Sequence, residues 1–136
     1  MVAGSIVHTK IGNVAKGALV TAKGQGTTSD VSIGTLSGSL TAAEDSNAAA
    51  GTTTGMMSDT TIGSITSTGT VSTGSISGMS VGTADSGSSI TAAGLGTVSN
   101  ITISKLASSL TAKKDNTAGS GTLTNATIGT LSTTGP

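Results

Sequence analysis

The residues able to do acid–base chemistry are few: the carboxylates Asp30, Glu44, Asp45, Asp59, Asp85 and Asp115, and the single histidine, His8. Cleaving a polysaccharide needs paired carboxylates or an acidic metal site, usually beside a basic group. Asp30 and Asp59 fall at the same position of a repeating unit described below, about 5 Å apart if successive units stack as neighbouring strands. That spacing mimics a catalytic dyad. Yet Asn100 and Asn125 replace the acid in later copies, which marks a turn position rather than a reacting one. His8 falls there too and is expected in solvent, which argues against a nucleophilic triad. Glu44-Asp45 and Lys113-Lys114-Asp115 read as solvated charges in loops, their opposite signs suited to association of neighbouring molecules. Gly24-Gln25-Gly26 does not open a helix after a strand, so no phosphate loop is assigned. Asn100-Ile-Thr and Asn125-Ala-Thr match the short N-glycosylation sequon. No catalytic, cofactor-binding or metal-ligating residue is assigned, no cofactor is expected, and the chain is read as not an enzyme.

The elements that would position any site must be built from an unusual composition. Gly (21), Ser (22) and Thr (27) make up 70 of the 136 residues, and Phe, Tyr, Trp, Cys and Arg are absent. A compact globule would lack the aromatic side chains that dominate most cores. Disorder usually combines low hydrophobicity with high net charge, whereas here six Lys balance six acids. Zero Cys excludes a disulfide framework and thiolate metal sites. Without Arg, and with no Lys cluster beyond Lys113-Lys114, nucleic acid is not an expected partner. The N-terminal residues do not form a signal peptide, and no apolar run is long enough to span a membrane as a helix.

Six segments share one eleven-residue pattern: Gly4–Val14, Gly26–Leu36, Gly55–Ile65, Gly74–Ala84, Gly96–Leu106 and Gly121–Leu131. Their leading glycines are 22, 29, 19, 22 and 25 residues apart, a spacing that suits turns of a solenoid. The first and eighth positions define the alignment. Of the 18 places at the third, sixth and eleventh positions, 15 are apolar, against about six expected from the overall 34%. A disordered chain has no reason to keep that register. Positions six and eight alternate as a strand requires, with position seven facing out. The intervals from three to six and from eight to eleven break the alternation, so the chain must bend there. The fifth position is His8, Asp30, Asp59, Gly78, Asn100 and Asn125, residue types that favour turns and tolerate left-handed backbone. The ninth is Gly in five copies, Ser104 being the exception, and positive φ is expected at those glycines.

The expected fold is therefore all-β: a parallel β-solenoid (β-helix) of about six coils, with two corners and an irregular third side giving a roughly triangular cross-section. Six coils would make a rod of ~29 Å. Residues 1–136 read as one domain containing two approximate three-coil super-repeats, 4–73 and 74–136. Thr21–Gly34 matches Thr91–Ser104, and Ser32–Asp45 matches Thr102–Asp115, both at an offset of 70. A second copy placed head to tail would bring its Gly4 to a notional position 140, where the next leading glycine is due, 19 residues past Gly121. The seam of Ser132-TTGP with Met1-VAG also resembles Thr66-STGTVST-Gly74. Both ends are expected to be uncapped.

These Ile-Gly-x-Leu coils, rich in Ser, Thr and Gly, resemble the parallel β-helix repeats of bacterial or archaeal surface and secreted proteins. Such proteins serve as adhesins, sheath or fibre components, polysaccharide-active scaffolds and ice-binding proteins. The calcium-binding nonapeptide G-G-x-G-x-D is absent, so that branch and its metal are not implied. The resemblance implies an extracellular or cell-surface structural protein, a subunit or segment of a filament, sheath or fibre. The expected partner is a further copy of the chain, with glycans or surface components as additional candidates. The alternative is an ice-binding or adhesin-type surface-binding solenoid. It rests on outward second and fourth positions: Ser5/Val7, Thr27/Ser29, Met56/Ser58, Ser75/Ser77, Thr97/Ser99 and Thr122/Thr124. In that array Ser outnumbers Thr, and Val7 and Met56 interrupt it.

Overall fold

A computed structural model describes residues 1–44, 55–114 and 122–132. They form eight strands: β1 (Val2–Val14), β2 (Leu19–Leu36), β3 (Ser39–Glu44), β4 (Met56–Ile65), β5 (Thr70–Ala84), β6 (Ser89–Leu106), β7 (Ser109–Lys114) and β8 (Thr122–Leu131). Every pairing is parallel, and all eight strands belong to one sheet that winds as stacked coils: the fold is a β-solenoid. The ladder Val2–Thr21–Thr41–Ser72–Thr91–Thr111 marks five complete turns. The stack Ser5–Thr27–Met56–Ser75–Thr97–Thr122 has six levels.

The register is the one the eleven-residue pattern requires. Ile11, Ile33, Ile62, Val81, Ile103 and Ile128 stack directly on one another, and the four between the ends are at most 1% exposed. The eleventh position forms a second column, Val14, Leu36, Ile65, Ala84, Leu106 and Leu131. Parallel stacking places like over like, so small aliphatic side chains fill a narrow core without aromatic groups. One core member is anomalous. The Thr28 hydroxyl has no hydrogen-bond partner although the residue is fully buried, stacked between Ile6 and Met57. Because an unmade buried hydrogen bond is costly, Thr28→Val is expected to stabilise the fold by about 1 kcal/mol, read from the shift of a denaturation midpoint.

Two expectations are corrected. The third side is regular, not irregular. Five stacked segments, Leu19–Ala22, Ser39–Ala42, Thr70–Thr73, Ser89–Ala92 and Ser109–Ala112, keep one register there. Their second residues, Val20, Leu40, Val71, Ile90 and Leu110, add a further inward column, and all but the partly buried Leu110 are buried. Glu44, Lys113 and Lys114 therefore end strands β3 and β7 instead of lying in loops, while Asp45 and Asp115 lie outside the described residues. Length variation enters elsewhere, for example through the register shift between Ala3 and Ser5 where β2 carries extra residues.

The second correction concerns the ninth-position glycines, which do not adopt positive φ. At four of the five, all but Gly12 on the open first level, the requirement is close approach. A Cβ on Gly63 would sit 2.6 Å from the carbonyl oxygen of Gly34 on the preceding level, and Gly34, Gly82 and Gly129 face the same obstacle at 2.4–2.6 Å. Ser104, the exception, keeps its side chain exposed. Positive φ is concentrated at the other corner, in the fifth position: His8 (49°), Asp30 (54°), Asp59 (46°), Gly78 (76°), Asn100 (54°) and Asn125 (52°). No other non-glycine residue among those described has positive φ. His, Asp and Asn are the side-chain-bearing residues that adopt this region most readily.

Candidate functional site

That corner stacks into an exposed polar ridge. His8 Nδ1 lies 2.9 Å from Asp30 Oδ2, with side-chain exposures of 77% and 55%. At the other end of the ridge, Asn125 Nδ2 donates to Asn100 Oδ1 at 3.1 Å. Between them Gly78 leaves a notch, and Asp30, Asp59, Thr61, Asn100 and Thr102 help to line an open groove of about 460 Å³ around it. The ridge thus collects His8, Asp30 and Asp59, as the pattern predicts, together with both sequon asparagines. The His8–Asp30 pair was not foreseen, although two oppositely chargeable residues at one position of adjacent coils were signal enough. Glu44, Lys113 and Lys114 hold backbone positions at the ends of the third-side strands, and Asp85 follows the end of β5.

A general acid or base is tuned by burial and by a fixed partner, but His8, Asp30, Asp59, Asn100 and Asn125 are all exposed. Among the described residues, no three His, Cys, Asp or Glu side chains are grouped to hold a metal ion. No protein-family model, curated protein or solved structure matches the chain. No helix is present among the described residues, so none is long and apolar enough to cross a membrane.

The candidate surface-binding face is less uniform than its sequence suggests. Met56 and Val7 are exposed as expected, but Ser75, assigned an outward position, is only 7% exposed, with its N–H donating to the Gly55 carbonyl at 2.9 Å. The regular outward hydroxyl rows lie on the third side. Ser39/Thr41, Thr70/Ser72, Ser89/Thr91 and Ser109/Thr111 repeat on four successive levels. The signal for that side was present as the recurring Ser-Leu-Thr-Ala, seen in the sequence only as part of the 70-residue offset.

The remaining feature is the pair of ends. Among the described residues, each of β1 and β8 pairs on one side only, β1 with β2 and β8 with β6, leaving a free edge of donors and acceptors. Of the seven large apolar residues exposed among those described, Met1, Val2 and Val7 lie on the first level and Leu123 and Leu131 on the last. Leu123 (51%) and Leu131 (63%) belong to columns that are buried at every other level. No described segment folds across them.

Proposed function

We propose that this protein is a structural, non-enzymatic subunit of an extracellular filament, sheath or surface fibre, built from solenoids stacked axially head to tail. One observation carries the reading: the last level presents open apolar columns, Leu123 and Leu131, along an unpaired strand edge. Solenoids that remain single need polar terminal caps, because an open coil pairs readily with another chain. A head-to-tail contact is heterologous and does not close, so it propagates as a filament. The Gly-, Ser- and Thr-rich composition supports an extracellular setting, as does the resemblance to microbial surface β-helices.

Binding to ice or another regular surface is the second reading, favoured by the hydroxyl rows of the third side. Electron microscopy of the purified chain separates the two. Filaments with an axial repeat of six levels, ~29 Å per subunit, are expected. A stable monomer with both ends covered by its own residues sinks the filament reading, and thermal hysteresis at micromolar concentration would favour the second.

A further inference from the structure

The last level of the chain repeats the third, and the first repeats the fourth. Strand β8 follows β4 at an offset of 66: Leu123 for Met57, Ala126 for Thr60, Ile128 for Ile62, Gly129 for Gly63, Leu131 for Ile65. Strand β1 follows β5 at an offset of 70: Ser5 for Ser75, Ile6 for Ile76, Ile11 for Val81, Gly12 for Gly82, Val14 for Ala84. Levels three and four are in contact, with Met57 on Ile76, Ile62 on Val81 and Ile65 on Ala84. We propose that the β8 edge of one copy receives β1 of a second copy in this one parallel register. Thr122 meets Ser5, Leu123 meets Ile6, Ile128 meets Ile11 and Leu131 meets Val14. This deepens the filament reading and rests on it.

Four observations specify the occupant. Thr9, at the sixth position of the first level, would be enclosed by the junction. Its hydroxyl already donates to the Val7 carbonyl at 3.0 Å. The buried Thr60, at the same position of level three, donates to the Ser58 carbonyl at 3.1 Å. Thr9 can therefore lose water without losing a hydrogen bond. On the third side, the ladder of β3 on β5 sets Leu40 against Val71 and Ala42 against Thr73. The same step sets Leu110 against Met1 and Ala112 against Ala3, covering a methionine that is 59% exposed in the single chain. The charges agree as well: β8 bears none, and His8 and Lys10 fall beside the neutral Asn125 and Thr127. Finally, β8 paired with a second β8 would run antiparallel and could not keep Asn125 and Gly129 each over its own corner column. Only a heterologous contact preserves both.

Cysteine cross-linking tests the register, and the chain has no cysteine of its own. Lys10 and Thr127 are both exposed and would lie in register across the junction, ~4.8 Å apart at Cα, within disulfide reach. After mild oxidation the double variant Lys10→Cys/Thr127→Cys is expected to give a ladder of covalent multimers on denaturing gels. Asn13→Cys/Thr127→Cys, three residues out of register, is expected to give none, and a 1:1 mixture of the Lys10→Cys and Thr127→Cys single variants should stop at dimers. Filaments by microscopy with no ladder from the first pair, or with a ladder from the out-of-register pair, overturn the junction while leaving the filament reading standing. Monomers with no ladder overturn both.

Discussion

Replacing Ile62 by Asp is expected to unfold the protein at neutral pH. Ile62 is fully buried, stacked between Ile33 and Val81 in the central column of the core. The variant loses the transfer and packing of an aliphatic side chain, about 2–5 kcal/mol for a truncation of this size. It also places a carboxyl where no donor is available, about 2 kcal/mol or more even when protonated. The sum rivals the ~5–15 kcal/mol that holds a typical domain together. Burial raises the folded-state pKa of the introduced carboxyl, so the folded state binds the proton more tightly than the unfolded state. The variant is therefore least destabilised in acid and loses further stability as pH rises above the ~3.9 of an unfolded Asp. Circular dichroism against denaturant at pH 3 and pH 7 reads this directly. Ile62→Ala, expected to cost less and to show no such pH dependence, separates charge from cavity. A native midpoint for Ile62→Asp at pH 7 would mean that Ile62 does not sit in the core.

At the end of the same solenoid, the same kind of substitution should have the opposite profile. Leu131 is 63% exposed and Leu123 51%, so Leu123→Asp/Leu131→Asp should change the stability of the single chain by no more than about 1 kcal/mol. In a head-to-tail junction, both carboxylates would be buried against Ile6 and Val14 of the next copy. With several kcal/mol lost per junction and 1.4 kcal/mol per factor of ten, association should weaken by about 100-fold or more. Sedimentation and microscopy should then find folded monomers under conditions where the parent protein forms filaments. A variant that assembles as well as the parent would place the axial contact elsewhere.

The column residues Ile33, Ile62, Val81 and Ile103 were legible because parallel stacking repeats one environment at every level, so burial leaves a periodic trace in the sequence. The fifth-position corner was legible for a similar reason. Few side-chain-bearing residues tolerate left-handed backbone, and His8, Asp30, Asp59, Asn100 and Asn125 all adopt it. The ninth-position glycines were located correctly and explained wrongly. Sequence reports that a Cβ is unwelcome at Gly63, but both positive φ and a crowded neighbour produce that signal. Only the stacked backbone identifies the Gly34 carbonyl as the obstacle.

The sequence by itself determined the solenoid class, the inward positions of the eleven-residue unit and one of its corners, since each depends on local chemistry repeated many times. Tertiary structure alone decided the rest. The third side emerged as a regular ladder because Leu19–Ala22 and its counterparts are too short to announce a strand until they pair with one another. Ser75 is buried, and its N–H pairs with the carbonyl of Gly55, twenty residues earlier in the chain and one level away, a neighbour that no local pattern encodes. The contrast between an open Leu131 and a closed Leu106 in one column is likewise a matter of position in the stack. Burial belongs to the level above and the level below, and a residue's own sequence context does not say whether both are there.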